Sequence, residues 1–412
     1  MGIPLVVLNQ YYAPDVASTG QVAAELCRAL AQSGFDIYVI TAEPSYTSSS
    51  PKAPYFEVQD GVHIYRVPLW GPKGREQLLV RLSGYIQFLW KGWRTARCLT
   101  RKVLPKYIIT FHNPPMVPII GAYLARKLHS HFIYILFDIH PDVLLATGWK
   151  LPRIVIWVWE QLNKQIFRQA DVIVVLGNGM KQTLLNKGVP PSKIKVISLW
   201  GRPELLPLPR DQAVRDELGI GEEELVLLYA GNMGIMHPLE LLLDVARAVN
   251  ELPVWFVFLG DGVKRQQLMA RAKKDNLRKV IFLPFQPEER FVRFVSTADA
   301  CFVVLEPGLE RLAFPSRTFT FLSAGKPVIT LMSPQAEAAQ LVREHGCGWN
   351  ATDSEQLVEL IRQIVCDREQ LTIKGLKAYE IYRKRFSRDK VTAAYVQLLN
   401  CLNKKANWEA TG

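Results

Sequence analysis

The chain has 412 residues, 49% of them hydrophobic and 21% charged, a composition that packs into cores and, at this length, implies two domains or three. Its 50 Lys and Arg outnumber 38 Asp and Glu, and the formal charge of +12 favours anionic partners. The basic residues are spread out, with no Lys/Arg-rich arm and no aromatic RNA-binding signature, so nucleic acid ranks below phosphorylated small molecules and acidic membrane surfaces.

MGIPLVVLNQ has neither a basic region nor a cleavage site and reads as a first strand, with LVVLN at 5–9. Ser18, Thr19 and Gly20 then precede a helix with an Ala23, Leu26, Leu30 stripe. Gly20 serves either close approach of a ligand to the backbone or an ordinary turn at a capped helix. No Gly-x-Gly-x-x-Gly follows the strand, so this is not the dinucleotide fingerprint. IYVIT at 37–41 is the next strand. Residues 75–104 form a helix with Leu78, Leu82, Tyr85, Ile86, Leu89, Trp93 and Ala96 on one face, and seven basic residues from Arg75 to Lys102 against the single acid Glu76. This fits an interfacial helix on anionic lipid, or a packed helix with a basic outer face.

YIITFHNPPMVPIIGAYLA at 107–125 is charge-free, but Asn113, Pro114, Pro115 and Pro118 break any spanning helix, leaving strand, loop and helix. His129 and His131 lack a third ligand at zinc spacing. Strand IYILF at 133–137 leads to Asp138, whose ordinary role is a loop cap, and to His140, whose ordinary role is a partner of Asp142. WKLPRIVIWVWEQ at 149–161 is a second aromatic stretch that extends the lipid-facing surface or closes the cleft. VIVVL at 172–176 and KVIS at 195–198 complete the first set of strands.

After the Pro-rich segment at 201–210 the alternation restarts with LVLLYAG, VWFVFLG, KVIFLP, CFVVL and PVITL between 225 and 331. Strands alternating with helices imply parallel sheets covered on both faces, so the expected fold is α/β, two doubly wound domains joined near residue 205. Ligands of such sheets bind beyond the carboxyl ends of the strands, and a cleft between the domains is the expected active site. Gly231 and Gly234 occupy the same topological position as Gly20, while Gly260 and Gly262 read as a strand-to-helix turn. Pro315-Ser316-Arg317 opens a short helix that Gly325 ends, and its first-turn arginine and free N–H groups suit an anion. Six cysteines, Cys27, Cys98, Cys301, Cys347, Cys366 and Cys401, form no Cys-x-x-Cys pair and read as reduced, buried and cytosolic.

NQYYAPD with Thr19-Gly20, FDIHPDVLLATG, RQADVIVVLGNGM, LLYAGNMG, FLGDG and PSRTFTFLSAGKPVI, in this order, resemble the retaining family-4 glycosyltransferases of the GT-B fold, in the branch that builds cell-surface polysaccharides (colanic acid and O-antigen type). The resemblance implies an acceptor-binding domain at 1–204, a nucleotide-sugar-binding domain at 205–385 and a C-terminal helix at 386–412 that packs back on the first domain. It implies transfer with retention from a nucleotide-diphosphate sugar to a lipid-linked or saccharide acceptor, without a metal or another cofactor, on the cytosolic side of the membrane. The absence of an Asp-x-Asp pair agrees. The implied donor ligands are Gly20, Asn232, Gly234, His237, Ser316, Arg317 and Thr320. Asp138 takes the catalytic place where several relatives keep a histidine, and Thr19 and His140 meet the acceptor or sugar. Two departures stand out. Leu312 and Thr320 occupy the positions of a Glu pair whose second member binds ribose, with Glu306 and Glu310 nearby as substitutes, and Asn232 and His237 replace Arg and Lys. A nucleotide-sugar epimerase of the same fold and a catalytically silent assembly subunit are the alternatives.

Overall fold

Two sheets organise the chain in the computed structural model, which describes residues 2–15, 17–46, 52–71 and 78–409. They lie in two compact units. Unit 1 comprises Met1–Leu145, Lys150–Ile197 and Thr392–Gly412, and unit 2 comprises Ala146–Trp149 and Ser198–Val391. The divisions fall after Ile197 and Val391, ahead of 205 in the first case and beyond 386 in the second.

The strands of unit 1 are β1 Ile3–Leu8, β2 Phe35–Ala42, β3 Phe56–Gln59, β4 Val62–Val67, β5 Tyr107–Thr110, β6 His131–Leu136, β7 Val172–Val175 and β8 Ile194–Val196. Its helices are α1 Ser18–Gln32, α2 Leu78–Val103, α3 Val117–Leu128, α4 Asp142–Ala146, α5 Arg153–Gln169 and α6 Asn178–Asn186. The sheet order is β3-β4-β2-β1-β5-β6-β7-β8, parallel except for the β3/β4 hairpin. Leu5, Val6, Val7 and Leu8 are all sealed from solvent, as a strand covered on both faces requires. The strand order reverses between β1 and β5, so the loops after these strands border a crevice.

The β3/β4 hairpin is absent from the sequence reading. Its strand FEVQ has no buried face, although Asp60 and Gly61, at φ 50° and 79°, form the Asp-Gly turn that marks such hairpins. Helix α2 forms, and the expected stripe is split: Ala96 is buried and Tyr85, Leu89 and Trp93 are half-buried, but two of its members stay outside. Phe88, Gly92, Ala96 and Leu99 face the core, whereas Leu82 and Ile86 face solvent with Leu79 and Trp90. The expected helix start at 75–77 lies outside the described residues.

Unit 2 contains β9 Leu225–Ala230, β10 Val254–Leu259, β11 Val280–Leu283, β12 Ala300–Val304, β13 Val328–Leu331 and β14 Gly348–Ala351. All neighbours are parallel in the order β11-β10-β9-β12-β13-β14, so the switch lies between β9 and β12. Its helices are α7 Gln212–Leu218, α8 Leu239–Ala248, α9 Arg265–Lys274, α10 Glu288–Thr297, α11 Arg317–Ser323, α12 Glu337–Glu344, α13 Ser354–Cys366 and α14 Glu369–Ile381. Strand β14 and its Gly348 are also missing from the sequence reading, because GWNA carries almost no β-rich run. The last helix, α15 Arg388–Glu409, enters unit 1 at Thr392, where the Tyr107 hydroxyl donates to the Leu399 carbonyl at 2.8 Å.

The cysteines divide into two groups. Cys27, Cys301 and Cys347 are buried as expected, but Cys98, Cys366 and Cys401 are exposed because each sits on the outer side of its helix.

Candidate active site

In unit 1 three strand-end loops converge. The Gln10 N–H after β1 donates to the Asn113 carbonyl after β5 at 2.9 Å, and the Asn113 amide donates to Thr19 Oγ1 at 3.3 Å. The peptide bonds before Pro14, Pro114 and Pro141, one in each loop, are cis. Gly20 lies buried in the first turn of α1, where a Cβ would come within 3.0 Å of the Tyr11 and Tyr12 backbone. The glycine is therefore accounted for by packing of the chain on itself, and it fixes the loop that carries Thr19.

Behind β6, Asp138 meets a residue that sequence reasoning passed over. His112 is 2% exposed, and its Nε2 is 3.1 Å from Asp138 Oδ2. The carboxylate can only accept, so Nε2 carries the hydrogen, and in the neutral ring Nδ1 is left as an acceptor. That Nδ1 is buried without a hydrogen-bond partner, and so is His140 Nδ1. The two imidazoles are 6.4 Å apart, with Trp159 of α5 a further 6.0 Å from His140. The Asn163 amide fixes the His140 carbonyl at 2.7 Å. Burial pushes His140 down to about 4 against the pull of Asp138, so its ring is neutral near pH 7. Two buried ring nitrogens without a partner leave unused hydrogen-bonding capacity beside the Asp138 carboxylate.

In unit 2 the loops after β9, β10 and β12 are stitched together. Met233 N–H donates to the Asp261 carbonyl at 2.7 Å, Lys264 N–H to the Met233 carbonyl at 3.0 Å, and Glu306 N–H to the Met236 carbonyl at 3.0 Å. A Cβ on Gly260 would lie 2.0 Å from the Gly231 carbonyl oxygen, and one on Gly262 2.5 Å from that of Met233. Those two glycines, read from sequence as a simple turn, are what lets the β9 and β10 loops touch.

Around this platform the structure brings together Gly231, Asn232, Gly234, His237 and Arg317, with Ser316 preceding Arg317 in the chain. Arg317 lies over Gly231, its Nε 3.4 Å from where a Cβ would stand, with its guanidinium 5.6 Å from the centre of Phe291. Burial pushes the Tyr229 hydroxyl up against the opposing charge of Arg317, and the same charge adds to the burial that lowers the His237 ring. Asn232 is exposed at the crevice and packs its amide on Gly234. His237 Nδ1 donates to the Val304 carbonyl at 2.9 Å, and burial, with Lys264 and Arg317, keeps the ring below its ordinary pKa. A neutral ring so bound presents Nε2 as an acceptor, which suits a hydroxyl better than the phosphate expected from sequence. The cation on this side is Lys264, missed in sequence reading because it belongs to the β10 loop. Its Nζ donates to the His237 carbonyl at 2.8 Å and to Glu240 at 3.0 Å, and lies 3.7 Å from Glu306.

Helix α11 starts at Arg317 and closes at Gly325, which has φ 62°. Ser316 stands at its N-cap without a side-chain capping bond, and Thr320 is buried one turn in, its carbonyl accepting from Ser323. Leu312 is half-buried in the loop before it. Among the described residues no three His, Cys, Asp or Glu side chains gather to hold a metal.

Residues 19–200 match the Glycosyl transferase 4-like domain, and residues 211–380 match Glycosyl transferases group 1. The chain is 25% identical over 300 residues to the probable glycosyltransferase WbjE of Pseudomonas aeruginosa, covering 71% of this chain and 75% of that one. It is 21% identical over 355 residues to the putative colanic acid biosynthesis glycosyl transferase WcaI of Escherichia coli, covering 82% and 85%. The crystal structure of HepE from Anabaena in complex with UDP superposes with a TM-score of 0.73 at 15% identity, over 97% of this chain and 100% of that one. With one family model on each parallel-sheet half and a GT-B architecture throughout, the chain belongs to the glycosyltransferases of the GT-B fold.

Proposed function

We propose that the protein transfers a sugar, with retention, from a nucleotide-diphosphate donor held by unit 2 to a saccharide or lipid-linked acceptor held by unit 1, in cell-surface polysaccharide synthesis. The observation that carries this reading is Arg317, a permanent cation laid over Gly231 at the switch point of the unit 2 sheet. Its planar fork matches two phosphate oxygens, and Asn232 with the Ser316 hydroxyl adds neutral donors. HepE has been crystallised with UDP and with UDP-glucose, and WcaI bears a colanic acid biosynthesis name, which supports a nucleotide-sugar donor and a polysaccharide product.

In this mechanism the acceptor hydroxyl oxygen bonds to the anomeric carbon on the face from which the diphosphate leaves. The bond from that carbon to the diphosphate oxygen breaks, and the same diphosphate takes up the hydroxyl proton. No nucleophile of the chain is consumed. Arg317 meets the charge that grows on the leaving group, without a metal. His237 Nε2 and the Glu306 carboxylate held near Lys264 accept sugar or ribose hydroxyls, with Thr320 buried within α11. Asp138, oriented by His112, and His140 fix the acceptor, with Thr19 at the edge of the crevice. Gly20 acts only by shaping the loop.

The test incubates the full chain with UDP-glucose and other nucleotide sugars and follows the nucleoside diphosphate released and the anomeric signal of the product by NMR. An α-linked product from an α-linked donor is expected. A free epimerised nucleotide sugar, or no turnover with any donor that binds, overturns the reading.

A further inference from the structure

Unit 1 exposes an apolar surface that its own core leaves uncovered. On α2, Leu79, Leu82, Ile86 and Trp90 are 80%, 44%, 68% and 52% exposed and share one side of the helix. Trp70, 71% exposed, extends this row. It is held in place by two hydrogen bonds between its backbone and the Gln87 side chain, at 2.7 and 2.9 Å, with Lys91 Nζ 3.6 Å over its ring. Helix α3 packs between α2 and α5 and shows Ile119 and Tyr123. The first turns of α5 show Ile154, Val155, Trp157 and Val158. Each of these helices begins at the level of the strands' carboxyl ends, because each runs back to lead into the next parallel strand. The exposed side chains therefore lie at the level of the crevice. Two contacts agree with this. Arg81 of α2 acts electrostatically on His140, and a Cβ on Gly84 would be 3.6 Å from Gln10.

The charge around this surface is mostly positive, Glu160 of α5 being paired with Lys187. Residues 78–103 contain six basic residues, Arg81, Lys91, Arg94, Arg97, Arg101 and Lys102, and no acid, and Lys150 and Arg153 stand exposed at the head of α5. Beside Trp157 an open cavity of about 560 Å³ has apolar walls at Val158 and Phe167 and cations at Lys164 and Arg168. Tryptophans with lysine and arginine around an aliphatic row match the chemistry of an anionic bilayer interface, where rings sit at headgroup depth and cations meet lipid phosphates.

We propose that unit 1 docks on an anionic lipid bilayer through the exposed faces of α2, α3 and α5, which puts the Asp138–His140 crevice beside the headgroup layer and makes its acceptor an amphiphile held in that bilayer. The identity of the acceptor rests on the transferase reading, whereas the docking surface stands without it.

The experiment is flotation of the full chain with vesicles of phosphatidylcholine alone and with phosphatidylglycerol added. Binding is expected on the anionic vesicles only, and it weakens at least tenfold in high salt. The pair Ile86→Glu with Trp90→Glu, and separately Trp157→Glu, weakens it at least tenfold, while Leu376→Glu, at an equally exposed apolar site in unit 2, leaves it as in the wild type. All these side chains are exposed, so the thermal midpoint serves as the check on folding. Brominated lipids quench tryptophan fluorescence in the wild type and less in Trp90→Phe. Equal binding to neutral vesicles, wild-type flotation by the Glu variants, or a dimer in sedimentation that the same variants abolish overturns docking. Nucleoside diphosphate titrations on the same variants separate the two claims, because a chain that floats but binds no donor refutes the transferase reading alone.

Discussion

At Arg317 the guanidinium stays charged at any pH the protein survives, so its loss reads directly as lost phosphate binding. Arg317→Ala should weaken nucleoside diphosphate binding by about 1.5–3 kcal/mol in calorimetry, the range for hydrogen bonds to a charged group. Arg317→Lys should fall between the two, keeping the charge without the fork. His140 behaves in the opposite way, through a proton it refuses. Burial lowers its pKa from 6.5 to about 4, so above pH 6.5 folded and unfolded chains agree, and between 6.5 and 4 only the unfolded chain takes up the proton. Stability is therefore lost as pH falls through that window, and His140→Asn should flatten the thermal midpoint there. A variant whose midpoint tracks the wild type would place the acid sensitivity elsewhere. The short helix that Arg317 opens is readable from sequence because Pro, Ser and Gly punctuate it locally. His112 was not, because its partner Asp138 lies one strand and one helix away and only the β5/β6 pairing brings them together.

For elements, existence was easier to read than orientation. The continuous apolar runs of β1, β5 and β9 identify themselves, since a strand buried on both faces needs no alternation. Helix α2 has apolar residues on both sides, and periodicity cannot decide which side the core takes when both qualify. The β10 loop shows what close packing adds. Gly262, with φ 152°, supports the Met233 carbonyl at a distance that admits no side chain. Gly262→Ala should cost about 1–3 kcal/mol, the usual penalty of overpacking, and should also weaken donor binding because Lys264 and His237 hang from the two loops that touch at this glycine. Calorimetry with and without nucleoside diphosphate checks both effects, and an unchanged midpoint would show that the loops have room to spare.

Across the whole molecule, the division into two α/β units follows from a strand–helix alternation that stops at the Pro-rich segment and starts again. The return of α15 to unit 1 does not follow from it, because a polar terminal helix carries no mark of where it docks. Its Tyr395 and Leu399 are buried at 3% and 1% exposure. A chain truncated after Val391 should lose a cooperative unfolding transition belonging to unit 1 while unit 2 keeps its own, as two-wavelength or calorimetric melting would show. The opposite pattern would mean that the helix serves unit 2.

That return has a consequence in time. Roughly 200 residues separate Ile197 from Thr392, and at bacterial-to-eukaryotic elongation speeds they take on the order of 10–40 s to synthesise. Throughout that interval the first-made half of the protein is waiting for a helix made after all of unit 2, with the seat of Tyr395 and Leu399 open, while the second-made unit already has all its strands. The amino-terminal unit is thus the later to finish, and its open seat outlasts the synthesis of the whole of unit 2.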